Sequence, residues 1–159
     1  MQAMNWSDKT SFLLVDNILL INAHLSSNKE KNPPQMESVK STLKVLKQTQ
    51  PNLHIILGGD LNAYLISNPE FDKMFHMFPV SKDDITTIKM RTKAQGQYEK
   101  GNVPNIESKD KIITDLNIKK DSGLITFIDG KTKPDLKSYI PTDGHPFDHF
   151  LVACRVIKQ

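Results

Sequence analysis

The 159-residue chain has a single cysteine, Cys154. That excludes an internal disulfide framework and a cysteine-based zinc site, because both need several thiolates. Charge of one sign is scarce as well: 21 Lys and Arg against 18 Asp and Glu leave a formal charge of +3. So mild a balance does not by itself signal a polyanion partner. Long apolar runs are missing too. Runs such as Phe12-Leu13-Leu14-Val15 and Ile18-Leu19-Leu20-Ile21 reach four residues and Phe150–Cys154 five, far short of a bilayer span. Ser7, Asp8, Lys9, Thr10 and Ser11 break the first stretch, so no secretory signal is expected there. Internal repeats and low-complexity tracts are also absent. With 38% hydrophobic and 25% charged residues, the chain reads as a soluble, intracellular, single domain over residues 1–159.

Local patterning gives an element order. Ser11–Val15 and Ile18–Ala23 read as two strands joined by Asp16-Asn17, a pair that tolerates a tight hairpin turn. Both faces of this hairpin are apolar, which predicts a buried one. A polar loop, Ser26–Asn32, runs to Pro33-Pro34. Then Met36, Val39, Leu43 and Leu46 fall on one face of a helix that Pro51 stops, with Lys40, Lys44 and Lys47 on its outer side. Leu53–Leu57 predicts a central strand ending at a tight Gly58-Gly59 loop. Asn68-Pro69-Glu70 starts a second helix with a Phe71, Met74, Phe75 and Phe78 stripe. The polar stretch 81–109 lacks periodicity and reads as a long surface loop, a kind of segment that is often functional. Lys111–Leu116, Gly123–Ile128 and His149–Ile157 are further strands. The fold class is mixed α and β, a mostly antiparallel sheet with flanking helices.

Chemistry-bearing side chains gather at strand ends, where a sheet can hold them in place. His24 ends the second strand. Asp60 and Asn62, two residues apart after a glycine pair, can face one side of an extended chain. Asp148 and His149 adjoin just before the last strand. Singly, each has a plain reading: a structural histidine, an ordinary turn, a chance neighbour. Together they suit metal-assisted hydrolysis of a phosphate ester. Oxygen ligands such as Asp60 and Asp148 fit Mg²⁺, and an imidazole titrating near neutrality can serve a phosphoryl oxygen.

Three segments, "INAHLSS", "IILGGDLNAY" and "HPFDHFLVACRV", resemble in order three signatures of the endonuclease/exonuclease/phosphatase superfamily, the deoxyribonuclease-I-like metal phosphodiesterases and phosphatases. Lys109-Asp110-Lys111-Ile112-Ile113 resembles the strand that carries an acid orienting the final histidine. The resemblance implies the second half of a four-layered α/β-sandwich and a Mg²⁺ cofactor, with Mn²⁺ as a substitute. It implies that His24 contacts the scissile phosphate or leaving group. Asp60 and Asn62 would position the attacking water and a second metal. Asp110 would pair with His149, which stabilises the pentavalent phosphorane, and Asp148 would join the metal shell. The implied substrate is a phosphoester, with nucleic acid first and a phospholipid or inositol phosphate next.

Two departures accompany the resemblance. Phe147 stands where the superfamily has a Ser before Asp-His. The superfamily's first half, with its strand-borne metal-binding Glu, has no counterpart: Glu30, Glu37, Glu70, Glu99 and Glu107 are expected in loops or on helices. An open apolar sheet face therefore calls for a protein partner or the missing half. The leading reading is a half-domain hydrolase active once completed. The other is a non-catalytic binding or assembly subunit that keeps the half-fold. The Lys-rich stretch from Lys89 to Lys111, with Arg91, Lys93, Lys100 and Lys109, reads first as a solvated face.

Overall fold

A computed structural model describes residues 6, 9–63, 69–81, 83–89, 105–126, 129–130 and 149–158. Strands β1 (Thr10–Val15) and β2 (Ile18–Ala23) form the expected antiparallel hairpin, with Asp16 at φ 53° in its turn. Helix α1 (Asn32–Thr49) carries the chain over to β3 (His54–Asp60), which pairs parallel with β2. A parallel pair needs such a crossover. β3 then pairs antiparallel with β7 (Asp110–Thr114), and β7 with β4 (His76–Phe78). The resulting sheet is ordered β1-β2-β3-β7-β4. Among the described residues there are also three two-stranded ribbons: β5 (Thr87–Lys89) with β6 (Asn105–Glu107), β8 (Asn117–Ile118) with β11 (Val156–Ile157), and β9 (Leu124–Thr126) with β10 (Leu151–Ala153). The architecture is mixed α/β with a mostly antiparallel sheet and few helices. No helix among the described residues is long and apolar enough to cross a membrane.

One face of the sheet is covered. Met36, Val39 and Leu43 of α1 are buried against Ile21, Ala23, Ile55, Leu57 and Ile113, the helical face expected from the spacing. Lys47, in the last turn of α1, donates to the carbonyls of Pro51 and Leu53 at 3.0 and 2.9 Å. It thereby fixes the turn into β3, as a cation at a helix C-terminus is suited to do.

The other expectations hold less well. The hairpin is not buried throughout: Ile21 and Ala23 of β2 are in the core, but Phe12, Leu13, Leu14 and Val15 of β1 are 41 to 60% exposed. β1 is the edge of the sheet and α1 lies over its centre, so composition alone could not assign burial there. Gly58 and Gly59 do not form a loop; β3 runs through both. Gly59 sits at φ 146°, and a Cβ there would fall 2.0 Å from the Ala23 carbonyl oxygen, so only glycine lets the two strands approach.

The second helix is a single turn, α2 (Pro69–Asp72), and the phenylalanine stripe splits. Phe71 and Phe75 stack with centroids 4.8 Å apart, whereas Phe78 is carried into β4 by pairing with β7. Tertiary pairing overrides a helical spacing that was real but short. The polar stretch 81–109 supplies two strands at its ends, β5 and β6, and its Thr86, Thr87, Ser108 and Lys109 are buried; residues 90–104 lie outside the described residues. Glu107, expected in a loop, ends strand β6 and is ion-paired with Lys109. The last predicted strand divides at Cys154 and Arg155 into β10 and β11.

Candidate active site

The end of β3 gathers residues from four separate stretches of chain. Asp60 closes β3 directly opposite Asp110, the first residue of β7, in the antiparallel register. Alternation puts both carboxylates on the face away from α1, together with Leu20 and Ile56. His149 lies between them. Its Nδ1 is 3.0 Å from each carboxylate oxygen of Asp110, and its Nε2 is 3.7 Å from Oδ2 of Asp60. His24, one residue beyond β2, brings its Nε2 to 3.7 Å from the same oxygen. Asp60 and Asp110 are 13 and 16% exposed at the side chain, His149 29% and His24 48%, so the acids are sheltered and the bases face outward.

Local hydrogen bonds set this geometry. The Leu25 N–H donates to the Asp60 carbonyl at 2.9 Å, and the Asn62 side-chain amide donates to the Leu25 carbonyl at 2.9 Å. The His24 and Asp60 segments are thus laced together. Asn62 does not lie on an extended chain beside Asp60, as its spacing suggested. It adopts φ 48°, and its backbone N–H donates to Oδ1 of Asp60 at 3.0 Å, an Asx turn. Asn32 of α1 holds the same turn from outside, donating to the carbonyls of Ser26 and Leu61 at 2.9 and 2.8 Å.

Two residues that sequence reasoning missed complete the support. The Thr86 hydroxyl accepts the successive N–H groups of Lys109 and Asp110 at 2.9 and 3.0 Å, and the Thr86 carbonyl accepts the Phe150 N–H at 2.8 Å. Thr87 donates its hydroxyl to Oδ2 of Asp110 at 3.1 Å and bridges backbone to backbone with His149. Nothing in the periodicity marks this pair; a two-threonine step within a polar stretch was the only signal. Asp148 and Phe147 lie outside the described residues.

With Nδ1 facing Asp110, the neutral His149 ring carries its proton on Nδ1, so the carboxylate fixes tautomer and ring orientation together. Nε2 is then the atom turned toward Asp60 and the open side. The site therefore offers an oriented imidazole, a second carboxylate oxygen beside it, and an outlying imidazole on the same oxygen. Such a set can orient a water and exchange protons with a bound ester. Among the described residues no cluster of three His, Cys, Asp or Glu side chains is placed to hold a metal ion. The carboxylate oxygens of Asp60 and the carboxamide oxygen of Asn62 are groups of the kind a hard cation accepts while keeping most of its water. A cleft of about 500 Å³ opens beside Asn62, lined also by Lys29, Asn32, Lys40, Glu107 and Lys109.

No protein-family profile matches the sequence, and no curated protein matches it either. Solved structures do. The selenomethionine form of TDP2 from Caenorhabditis elegans superposes with a TM-score of 0.54 at 15% identity, over 91% of this chain and 48% of that one. Truncated Caenorhabditis elegans TDP2 gives 0.53 at 15% identity, over 91% of this chain and 63% of that one. At that identity the likeness establishes the fold. The chain spans roughly half to two thirds of these structures.

Proposed function

We propose that this chain is the C-terminal half of a divalent-metal-dependent phosphoester hydrolase of the endonuclease/exonuclease/phosphatase type, active when a complementary half is supplied. One observation carries the reading: His24 and His149 each bring Nε2 to 3.7 Å from Oδ2 of Asp60 while Asp110 holds Nδ1 of His149 at 3.0 Å, four residues from four distant stretches. A purely structural sheet corner has no need of two histidines on a shared acid.

The division of labour follows from the atoms. Asp110 holds His149 by Nδ1 and supports the protonated ring, in which Nε2–H can donate to a non-bridging phosphoryl oxygen as negative charge builds there. Oδ2 of Asp60 would accept a hydrogen bond from the attacking water and orient it. His24, more exposed and on the same oxygen, contacts the phosphate or the departing group. Asp60, Asn62 and Asp148 would hold Mg²⁺ or Mn²⁺, which when bound neutralises phosphate charge as a Lewis acid.

The need for a complement is supported by the sheet. Leu13, Leu14 and Val15 are 46 to 60% exposed, and Leu13 stands in register with Leu20, on the face that also bears the candidate site. An open apolar face of this kind marks a protein contact. The substrate is a phosphodiester, with nucleic acid ahead of phospholipid or inositol phosphate, in an intracellular setting.

The test is hydrolysis of bis-p-nitrophenyl phosphate, DNA and RNA, with Mg²⁺ and with excess chelator. It is run on the isolated chain and on the chain together with any co-purifying polypeptide. Chelator-sensitive cleavage that needs or is strongly raised by the second polypeptide is expected. Absence of cleavage in both preparations would overturn the proposal in favour of a non-catalytic assembly subunit.

A further inference from the structure

Lys111 has no part in the chemistry above, yet it is the largest fully buried side chain among the described residues, with 1% of its surface exposed. A lysine in that position is costly, because burial disfavours its charge and an apolar residue of similar length would fill the space. Burial indeed pushes its amine below the usual lysine range, while the charges of Asp84 and Asp110 act the other way. What it does with its protons is specific. Nζ donates to the Pro79 carbonyl at 3.1 Å and to the Ser108 hydroxyl at 2.8 Å, and that hydroxyl donates to the Ser81 carbonyl at 3.3 Å.

These bonds tie residues 79–81 to residues 108–111, the turn into β7. The tied segment continues through Asp84, whose carboxylate accepts the Ser81 N–H at 3.2 Å, directly to Thr86 and Thr87. Those two residues hold the Asp110 backbone, the Asp110 carboxylate and the chain at Phe150 beside His149. Lys111 therefore closes one end of a short span whose other end grips the histidine–carboxylate pair. Its own side chain is on the opposite face of β7 from Asp110, so it reaches the pair only through this span.

We propose that Lys111 is a positioning residue for the Asp110–His149 pair, acting through the 79–87 segment. The proposal rests on the reading of that pair as the hydrolytic one, but its test does not. Long-range ¹H–¹⁵N correlation of the full chain reports the tautomer of the His149 ring. In the native chain near pH 8 the Nδ1–H form should dominate. In Lys111→Met, which keeps length and removes charge and donors, the other tautomer should rise about tenfold, the effect of losing one hydrogen bond's worth of restraint. Ser108→Ala, a smaller change that cuts the same tie, should shift it in the same direction and serves if the first variant does not fold.

A lowered melting temperature with an unchanged His149 signature, in Lys111→Met or, where that variant does not fold, in Ser108→Ala, overturns the proposal and leaves Lys111 a core residue. In the completed enzyme, kcat should fall with KM unchanged. A shifted tautomer in a chain that cleaves nothing would instead sustain the positioning role and count against hydrolysis.

Discussion

Asp110→Asn, assayed with whatever polypeptide completes the site, is expected to lower kcat for phosphodiester hydrolysis by about 10²–10⁴-fold with KM little changed. The size follows from what the carboxylate does. Both of its oxygens lie 3.0 Å from Nδ1 of His149, and Thr87 donates to one of them. A carboxamide there can turn an N–H toward Nδ1, which would then have to be the acceptor. The proton of the neutral ring would move to Nε2, and the protonated ring would lose its counter-charge. Ground-state contacts to substrate are made by other groups, so binding should survive while the reacting geometry does not. An Asp110→Asn chain that keeps more than about a third of wild-type kcat would show that the pair is structural, since a general acid–base contribution is far larger than that.

The largest effect on stability is expected at the far end of β3, away from the site. Asp115 is 5% exposed at the side chain and accepts hydrogen bonds from Lys47 at 2.8 Å, from His54 Nδ1 at 3.1 Å and from the Ile55 N–H. Burial raises its carboxyl, but those three donors and the Lys47 charge more than offset this and hold it below the ordinary carboxylate value of 3.8. Asp115→Ala leaves the charge of Lys47, 17% exposed, with only the Pro51 and Leu53 carbonyls, and leaves the Ile55 N–H without its acceptor. Breaking one side of a buried pair costs about 3–5 kcal/mol, a large part of the 5–15 kcal/mol that domains have to spare. Urea denaturation at pH 7 should show the midpoint fall without a change in slope.

The acid limb should move with it. A carboxyl depressed in the folded state contributes its full stability above its unfolded value, and the contribution disappears as pH falls through the folded one. Between about pH 7 and pH 3 the native chain should therefore lose more stability than Asp115→Ala does. A variant within 1 kcal/mol of wild type at pH 7 would contradict this, since the mean point substitution already costs about that much.

Much of this was legible in the residues. Asp16-Asn17 announced its hairpin because few residues accept a positive φ, and α1 showed its buried side through Met36, Val39 and Leu43. His24, Asp60 and His149 could be picked out by residue type and order, and Asp110 by the resemblance of its strand to that of the superfamily, although only folding brings them together. What stayed hidden was set by tertiary contact. The exposure of β1 depends on which strand lies at the edge. The phenylalanines of α2 and β4 are spaced for a helix, but pairing with β7 won. Thr86, Thr87, Ser108 and Lys111 are polar residues buried by hydrogen bonding, and a polar stretch gives hydropathy nothing to detect. The support of the site was therefore the least readable part of it.

The central claim is that this corner of the sheet performs phosphoester hydrolysis. The most direct test compares the Mg²⁺-dependent rate on bis-p-nitrophenyl phosphate for the completed wild-type protein with that of the Asp60→Ala, His149→Ala pair of substitutions in the same assembly. The account predicts that the doubly substituted protein falls to the uncatalysed background while still folding and binding its complement. A doubly substituted protein that cleaves at the wild-type rate would contradict it.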